Sequence, residues 1–166
     1  MEKSLVLNAS QVNHKITRLA HEILENNHRE EIIILAGIDG QGYVLAERLY
    51  HILSSIAESK IVLTKITIDK DNPYENEVHI GLDPSEYKDK CIIIVDDVLN
   101  SGKTMIYGIK TFLRTRLSSL KTVVLINRNH KRFPVNADYV GLSLATTLQE
   151  HIEVSLEENN ESVYLS

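Results

Sequence analysis

The stretch CIIIVDDVLNSGKTM, residues 91–105, joins an apolar run to two adjacent acids and then to a loop ending Ser-Gly-Lys-Thr. Residues 91–98 read as a buried strand, being short, β-branched and followed at once by a loop. Ser101, Gly102, Lys103 and Thr104 sit where a helix over 102–117 begins. The free N–H groups and dipole of a helix start favour a phosphate monoester, and the two hydroxyls add donors. Asp96 and Asp97 leave the strand end beside that loop, where they would repel a second anion. Carboxylates in that position suit vicinal hydroxyls or a hydrated metal ion. A strand, paired acids and a phosphate loop together describe a sugar phosphate, with hydroxyls on Asp96 and Asp97 and the 5′-phosphate in the loop. An ATP-binding loop is excluded, because it needs glycine where Asp97 stands.

Outward from this stretch, strands and helices alternate. Residues 10–27 place Val12, Ile16, Leu19, Ala20, Ile23 and Leu24 on one helical face, with Ser10 as the expected N-cap. EIIILAGI (31–38) and IVLTKITI (61–68) read as strands, and 43–57 between them as a helix. TVVLINR (122–128) is a further strand, and two short β segments fall near 139–144 and 161–166. In the 102–117 helix, Met105, Ile106, Ile109, Phe112, Leu113 and Leu117 are expected to face inward. The polar stretch 69–90 holds two of the three prolines and is expected to be functional or mobile. The pattern predicts an α/β fold with a mostly parallel central sheet flanked by helices. Ligands bind such sheets beyond the carboxyl ends of the strands. GIDGQG (37–42) and DDVLNSGKT (96–104) lie there. GIDGQG fails as a dinucleotide fingerprint, because Asp39 stands where the second glycine belongs.

Bulk properties narrow the classes. The chain has 166 residues, 43% of them apolar and 25% charged, which suits one domain spanning 1–166. A net charge of −5 opposes nonspecific nucleic-acid binding. The lone Cys91 lies in an apolar run and reads as a buried structural thiol. No segment has the length of a membrane span, so no membrane partner is expected and the cytoplasm is the expected location.

CIIIVDDVLNSGKT resembles the phosphoribosyl pyrophosphate (PRPP) signature of type I phosphoribosyltransferases. TRLAHEI (17–23), AGIDGQG (36–42), INRNHKRFPVNADYVG (126–141) and the closing SVYLS resemble, in order and spacing, the pyrimidine-operon regulator/uracil phosphoribosyltransferase family. The resemblance implies a magnesium-dependent transfer of ribose 5-phosphate from PRPP to a nucleobase, giving UMP and pyrophosphate if the base is uracil. It implies that Asp96 and Asp97 bind the ribose hydroxyls and reach Mg2+ indirectly, through PRPP or water. Asn100, Ser101, Gly102, Lys103 and Thr104 would hold the 5′-phosphate. Ile38, Asp39, Gly40, Gln41 and Gly42 would bind pyrophosphate, commonly with a non-proline cis peptide. Lys70, from a lid-like insert at about 69–90, is the expected phosphate contact there. Arg128, Tyr139 and Val140 would meet the base within a small hood at about 128–166. A homodimer or higher homo-oligomer is implied as well.

Asn100 bears on the base. In the 6-oxopurine members of the resembled family the corresponding residue is an aspartate that exchanges a proton with the purine. An amide cannot act as a general base, so Asn100 favours uracil over hypoxanthine or guanine. Two departures stand out. The pyrophosphate loop usually carries basic side chains, and Asp39 adds repulsion there unless it points outward or helps bind magnesium. The family's regulators bind messenger RNA on a basic surface. Thr17, Arg18, His21, His130, Lys131 and Arg132 remain here, but Leu148 and His151 stand where lysines are common and Asn136 where arginine is usual. Specific RNA binding is therefore disfavoured. The alternatives are a regulatory RNA-binding protein with a nucleotide-sensing pocket, and a phosphoribosyltransferase for another base.

Overall fold

The computed structural model describes residues 2–166. In chain order the elements are β1 (Ser4–Leu7), α1 (Ala9–Asn27), β2 (Ile32–Ile38), α2 (Gln41–Ile56), β3 (Lys60–Thr67), β4 (His79–Ile80) and α3 (Pro84–Tyr87). They continue with β5 (Cys91–Leu99), α4 (Lys103–Phe112), β6 (Ser119–Arg128), β7 (Tyr139–Leu144), β8 (Ile152–Ser155) and β9 (Ser162–Leu165). Six strands form one sheet in the order β4-β3-β2-β5-β6-β7, parallel except for β4. The fold is thus α/β with a mostly parallel central sheet, as the alternation of elements predicts.

β2 and β5 are covered on both faces, which is why they read as continuous apolar runs rather than as an alternation. Ile33, Leu35, Ile93 and Val95 pack under α1 and α2, against Val12, Ile16, Leu19, Leu45 and Leu49. Ile34, Ala36, Ile92 and Ile94 point the other way, against Met105 and Phe112 of α4 and Tyr87 of α3. The helices of each face are therefore fixed by alternate residues of the same two strands.

Three strands lie outside this sheet, in the order β1-β9-β8. β1 pairs antiparallel with β9, Ser4 opposite Leu165, and β8 pairs with β9, Val154 opposite Val163. Leu7, Leu156 and Val163 join the α1 side of the core. Arg48 of α2 ties the small sheet down, its Nη1 donating to Oε1 of the nearly buried Glu161 at 3.0 Å. Arg48 also donates to Asn13 of α1.

Several sequence expectations need correction. Asn8, not Ser10, caps α1; its side chain accepts the Gln11 N–H while the Gln11 side chain accepts the Asn8 N–H, a closed capping box. α4 stops at Phe112 rather than 117, because the chain must turn to begin β6 at Ser119, opposite Cys91. Leu113, expected inward, is consequently 63% exposed. The 69–90 insert is only half a loop. Ile80 and Tyr87 are buried in the core beneath α4, so residues 79–90 are docked and only 69–78 stand free of the sheet. The hood is not confined to 128–166 either, since β1 supplies one of its three strands.

Replacing Arg48 with Met leaves the Glu161 carboxylate without its cation. We expect a loss of roughly 2 kcal/mol, below the full cost of an unpaired buried charge because Arg48 is partly exposed. Urea denaturation reads the loss, and faster amide exchange across β8 and β9 locates it.

Candidate active site

The sheet topology carries β2, β3 and β5 to a common end, and their following loops meet there. Asp96 and Asp97 close β5; the 39–42 turn follows β2; the 69–78 segment follows β3. A cavity of about 220 Å³ opens at this end, lined by Lys70, Asp96, Asp97, the 98–105 segment and Ile152 of the hood, while Ile38, Asp39, Gly40, Gln41 and Gly42 lie outside its lining. The residues expected to bind ribose hydroxyls, the 5′-phosphate and a second phosphate group through Lys70 thus share one space.

Asp96 is 7% exposed and accepts the backbone N–H of Asp97 at 2.9 Å. Burial, with the charge of Asp97 next in importance, pushes its carboxyl well above the usual carboxylate range, while nearby Lys70 acts in the opposite direction. α2 begins directly over this carboxylate. A Cβ on Gly42 would lie 2.8 Å from Asp96 Oδ1 and 3.0 Å from the Val95 carbonyl, so only glycine permits that approach.

The phosphate loop is held from both sides. Gly102 has φ 85°, a left-handed conformation at the start of α4, where the Lys103 N–H donates to Ser101 Oγ at 3.3 Å. The Ser101 carbonyl accepts N–H groups from Arg132 and Phe133 at 2.9 and 3.0 Å, so the basic loop after β6 forms its floor. Lys103 does not point its ammonium at the loop. Its Nζ donates instead to the Asp71 carbonyl at 3.0 Å. Asp69 organises the same turn, accepting from the N–H groups of Asp71 and Asn72 and from Asn76 Nδ2. The Asn72 N–H is the chief cause that holds its carboxyl below the usual range. Lys70, between these two anchors, is thereby directed toward the 39–42 turn.

That turn contains no cis peptide bond, contrary to what the resemblance implies. Gly40 makes the reversal instead, with φ 97° and ψ −141°. Asp39 is exposed; its Oδ1 accepts the Gly40 N–H at 3.0 Å and lies 3.5 Å from Lys65 Nζ. Gln41 turns away from the cavity, its Oε1 accepting the Leu156 N–H at 3.0 Å. It ties the hood to the loop rather than lining the site.

The expected base contacts are not assembled in the cavity. Arg128 donates to Thr146 Oγ1 at 2.6 Å and to the Thr147 carbonyl at 2.7 Å, holding the segment after β7. Tyr139 lies on the α1 face of the sheet. The length of its phenol carries the hydroxyl back to Asn27, whose Nδ2 donates to it, while Asn27 Oδ1 accepts from Cys91 at the start of β5, the end opposite Asp96. The Val140 carbonyl is on the outer edge of β7, where it accepts Arg18 Nη2 at 2.8 Å. Tyr139 and Val140 thus do not line the cavity. Ile152, which sequence reasoning missed, is the hood residue that reaches the cavity. Its signal was the alternation Ile152, Val154, Leu156 in HIEVSL.

Because folding raises the Asp96 pKa, ionised Asp96 costs stability once pH rises above its unfolded value. Below that value it is protonated in both states and the cost vanishes. Asp96→Asn should therefore raise the melting temperature at neutral pH by roughly 3–6 °C. Thermal scans should show the gain shrinking as pH falls into the acid range.

With this geometry in hand, comparisons with known proteins can be set against it. The phosphoribosyl transferase domain model matches residues 6–159. The bifunctional protein PyrR of Clostridium kluyveri is 33% identical, over 94% of this chain and 92% of its own. The PyrR of Clostridium acetobutylicum is 35% identical, over 98% of this chain and 97% of its own. The fold is similar to a hypoxanthine phosphoribosyltransferase of Trypanosoma cruzi, with TM-score 0.77, 16% identity, and 98% and 95% of the two chains covered. A hypoxanthine-guanine phosphoribosyltransferase of Bacillus anthracis gives TM-score 0.74 at 20% identity, covering 100% of this chain and 99% of the other. The chain belongs to the phosphoribosyl transferase family and, within it, to the family of bifunctional PyrR proteins.

Proposed function

We propose that the protein transfers ribose 5-phosphate from PRPP to uracil, giving UMP and pyrophosphate. One observation carries this reading: Asp96, Asp97, Lys70 and the 100–104 loop line a single cavity at the carboxyl end of the sheet. In the proposed reaction the bond from the anomeric carbon to pyrophosphate oxygen breaks and its electron pair leaves with pyrophosphate. A ring nitrogen of the base forms the new bond and gives up its proton. Positive charge develops on the ribose, beside Asp96 and Asp97, and negative charge on the departing pyrophosphate, beside Lys70. The N–H groups at the start of α4 fix the 5′-phosphate and with it the ribose. The hood, through Ile152, limits water at the anomeric carbon.

Magnesium is part of the proposal. Among the described residues no three His, Cys, Asp or Glu side chains converge as a metal cage. The two carboxylates at the end of β5 nevertheless fit an ion that takes few protein ligands and brings the rest with a phosphorylated substrate and water. Bound there, it would neutralise charge on the pyrophosphate. Asn100, exposed at the rim of the cavity, supports uracil because it offers no base to a purine ring. Cytoplasmic residence and a homodimer or larger homo-oligomer complete the reading.

RNA regulation is the second reading, favoured by the name bifunctional that the PyrR relatives carry. Against it, three of the basic residues that remain are engaged within the chain. Arg18 donates to the Val140 and Gly141 carbonyls, His130 meets the Thr146 carbonyl, and Lys131 reaches Asn136.

A pyrophosphate-release assay with PRPP, magnesium and a panel of bases tests the enzyme. Uracil should be turned over well above hypoxanthine or guanine, and Asp96→Asn with Asp97→Asn should abolish the reaction. The absence of turnover with every base would move the assignment to a nucleotide sensor. Gel shifts on pyrimidine-operon leader RNA across a salt series should give only weak, salt-sensitive binding; tight specific binding would establish the second reading.

A further inference from the structure

The two halves of the cleft are not equally ready for an anion. The 5′-phosphate half presents the start of α4 with Gly102 already left-handed and Ser101 pinned. The 39–42 turn, which adjoins the cavity through Lys70 and would take pyrophosphate on the phosphoribosyl reading, already holds an anion of its own. Asp39 Oδ1 takes the Gly40 N–H at 3.0 Å, a group that a pyrophosphate seated on this turn would need. Lys70 Nζ stands over the same residue, 3.7 Å from where a Gly40 Cβ would be.

We propose that Asp39 is an internal competitor for the pyrophosphate half of the cleft, so that the resting site favours 5′-monophosphate ligands over pyrophosphate-bearing donors. The inference rests on the phosphoribosyl reading of the cavity and names the ligand class that its resting state accepts. Lys65 already shares Asp39 Oδ1 with the Gly40 N–H and remains as its partner when that N–H is taken. Its Nζ lies 3.5 Å from Asp39 Oδ1 and is steadied 4.5 Å above the Tyr43 ring. A pyrophosphate group that takes Gly40 N–H displaces Asp39 toward Lys65, and its affinity is lowered by the cost of that exchange and by the remaining like charge. A ligand that ends at the 5′-phosphate never meets Asp39.

Calorimetric titration of the full chain with ribose 5-phosphate, pyrophosphate and PRPP, each with and without magnesium, tests this. In Asp39→Asn and Asp39→Ala, ribose 5-phosphate should bind as in the wild type, whereas pyrophosphate and PRPP should bind about tenfold tighter. That gain should shrink as salt is raised. Lys65→Met should weaken PRPP binding in the wild-type background and leave it unchanged in Asp39→Asn, because Lys65 acts by holding Asp39. Unchanged PRPP affinity in Asp39→Asn overturns the proposal, as does an equal gain for ribose 5-phosphate. Weaker magnesium–PRPP binding in Asp39→Asn overturns it by making Asp39 a ligand rather than a competitor. If the wild type fails to bind ribose 5-phosphate at all, the phosphoribosyl reading falls and takes this inference with it. Normal ribose 5-phosphate binding without an Asp39 effect removes only the inference.

Discussion

A carboxylate buried at the end of the central strand is the constraint around which the rest is arranged. Asp96 has lost its water, stands beside a second acid, and keeps as compensation the Asp97 N–H and the charge of Lys70. Each neighbour answers to it. Gly42 lacks a side chain so that α2 can start over the carboxylate. The turn after β3 is laced by Asp69 and Lys103 so that Lys70 stays within electrostatic reach. A core built for stability alone would not place an acid here. A site that must receive two hydroxyls from a ligand has reason to, because the ligand completes the hydrogen bonding that the fold leaves undone.

Much of this was legible in the residues, and the boundary of what was not has physical causes. The parallel sheet followed from the continuous β-branched runs of β2 and β5, which only a doubly covered strand can bury. The paired acids and the Ser-Gly-Lys-Thr loop are local in sequence, so their meeting at one strand end could be read without tertiary knowledge. The destinations of long side chains could not. Lys103 lies inside the phosphate motif yet spends its ammonium on the Asp71 carbonyl, and Gln41 lies inside the second loop yet binds the hood. Tyr139 illustrates the same limit from the core side: its backbone neighbours the Asp96 row, but its phenol runs toward Asn27. β1 and β8 were not read as strands, although β9, of the same length, was.

Besides the apolar packing of Leu7, Leu156 and Val163 on the core, a few polar links join the hood to the rest of the fold. Gln41 reaches Leu156, Arg48 reaches Glu161, and Arg128 holds the segment at Thr146 and Thr147. All three start from elements of the central sheet or its helices and end in the stretch after β7. The 39–42 turn and the roof are thus linked directly through Gln41.

The pairing of β1 with β9 has a consequence for how the protein is made. Ser4 faces Leu165, so the N-terminal strand leaves the ribosome long before its partner exists. The parallel sheet, with α1 and α2 already on it, can assemble meanwhile from elements close in sequence. During that interval Leu5 and Leu7 have no ladder to join, and the phosphate loop stands without its roof. A nascent chain is thus able to form the 96–104 segment before the strands that roof it.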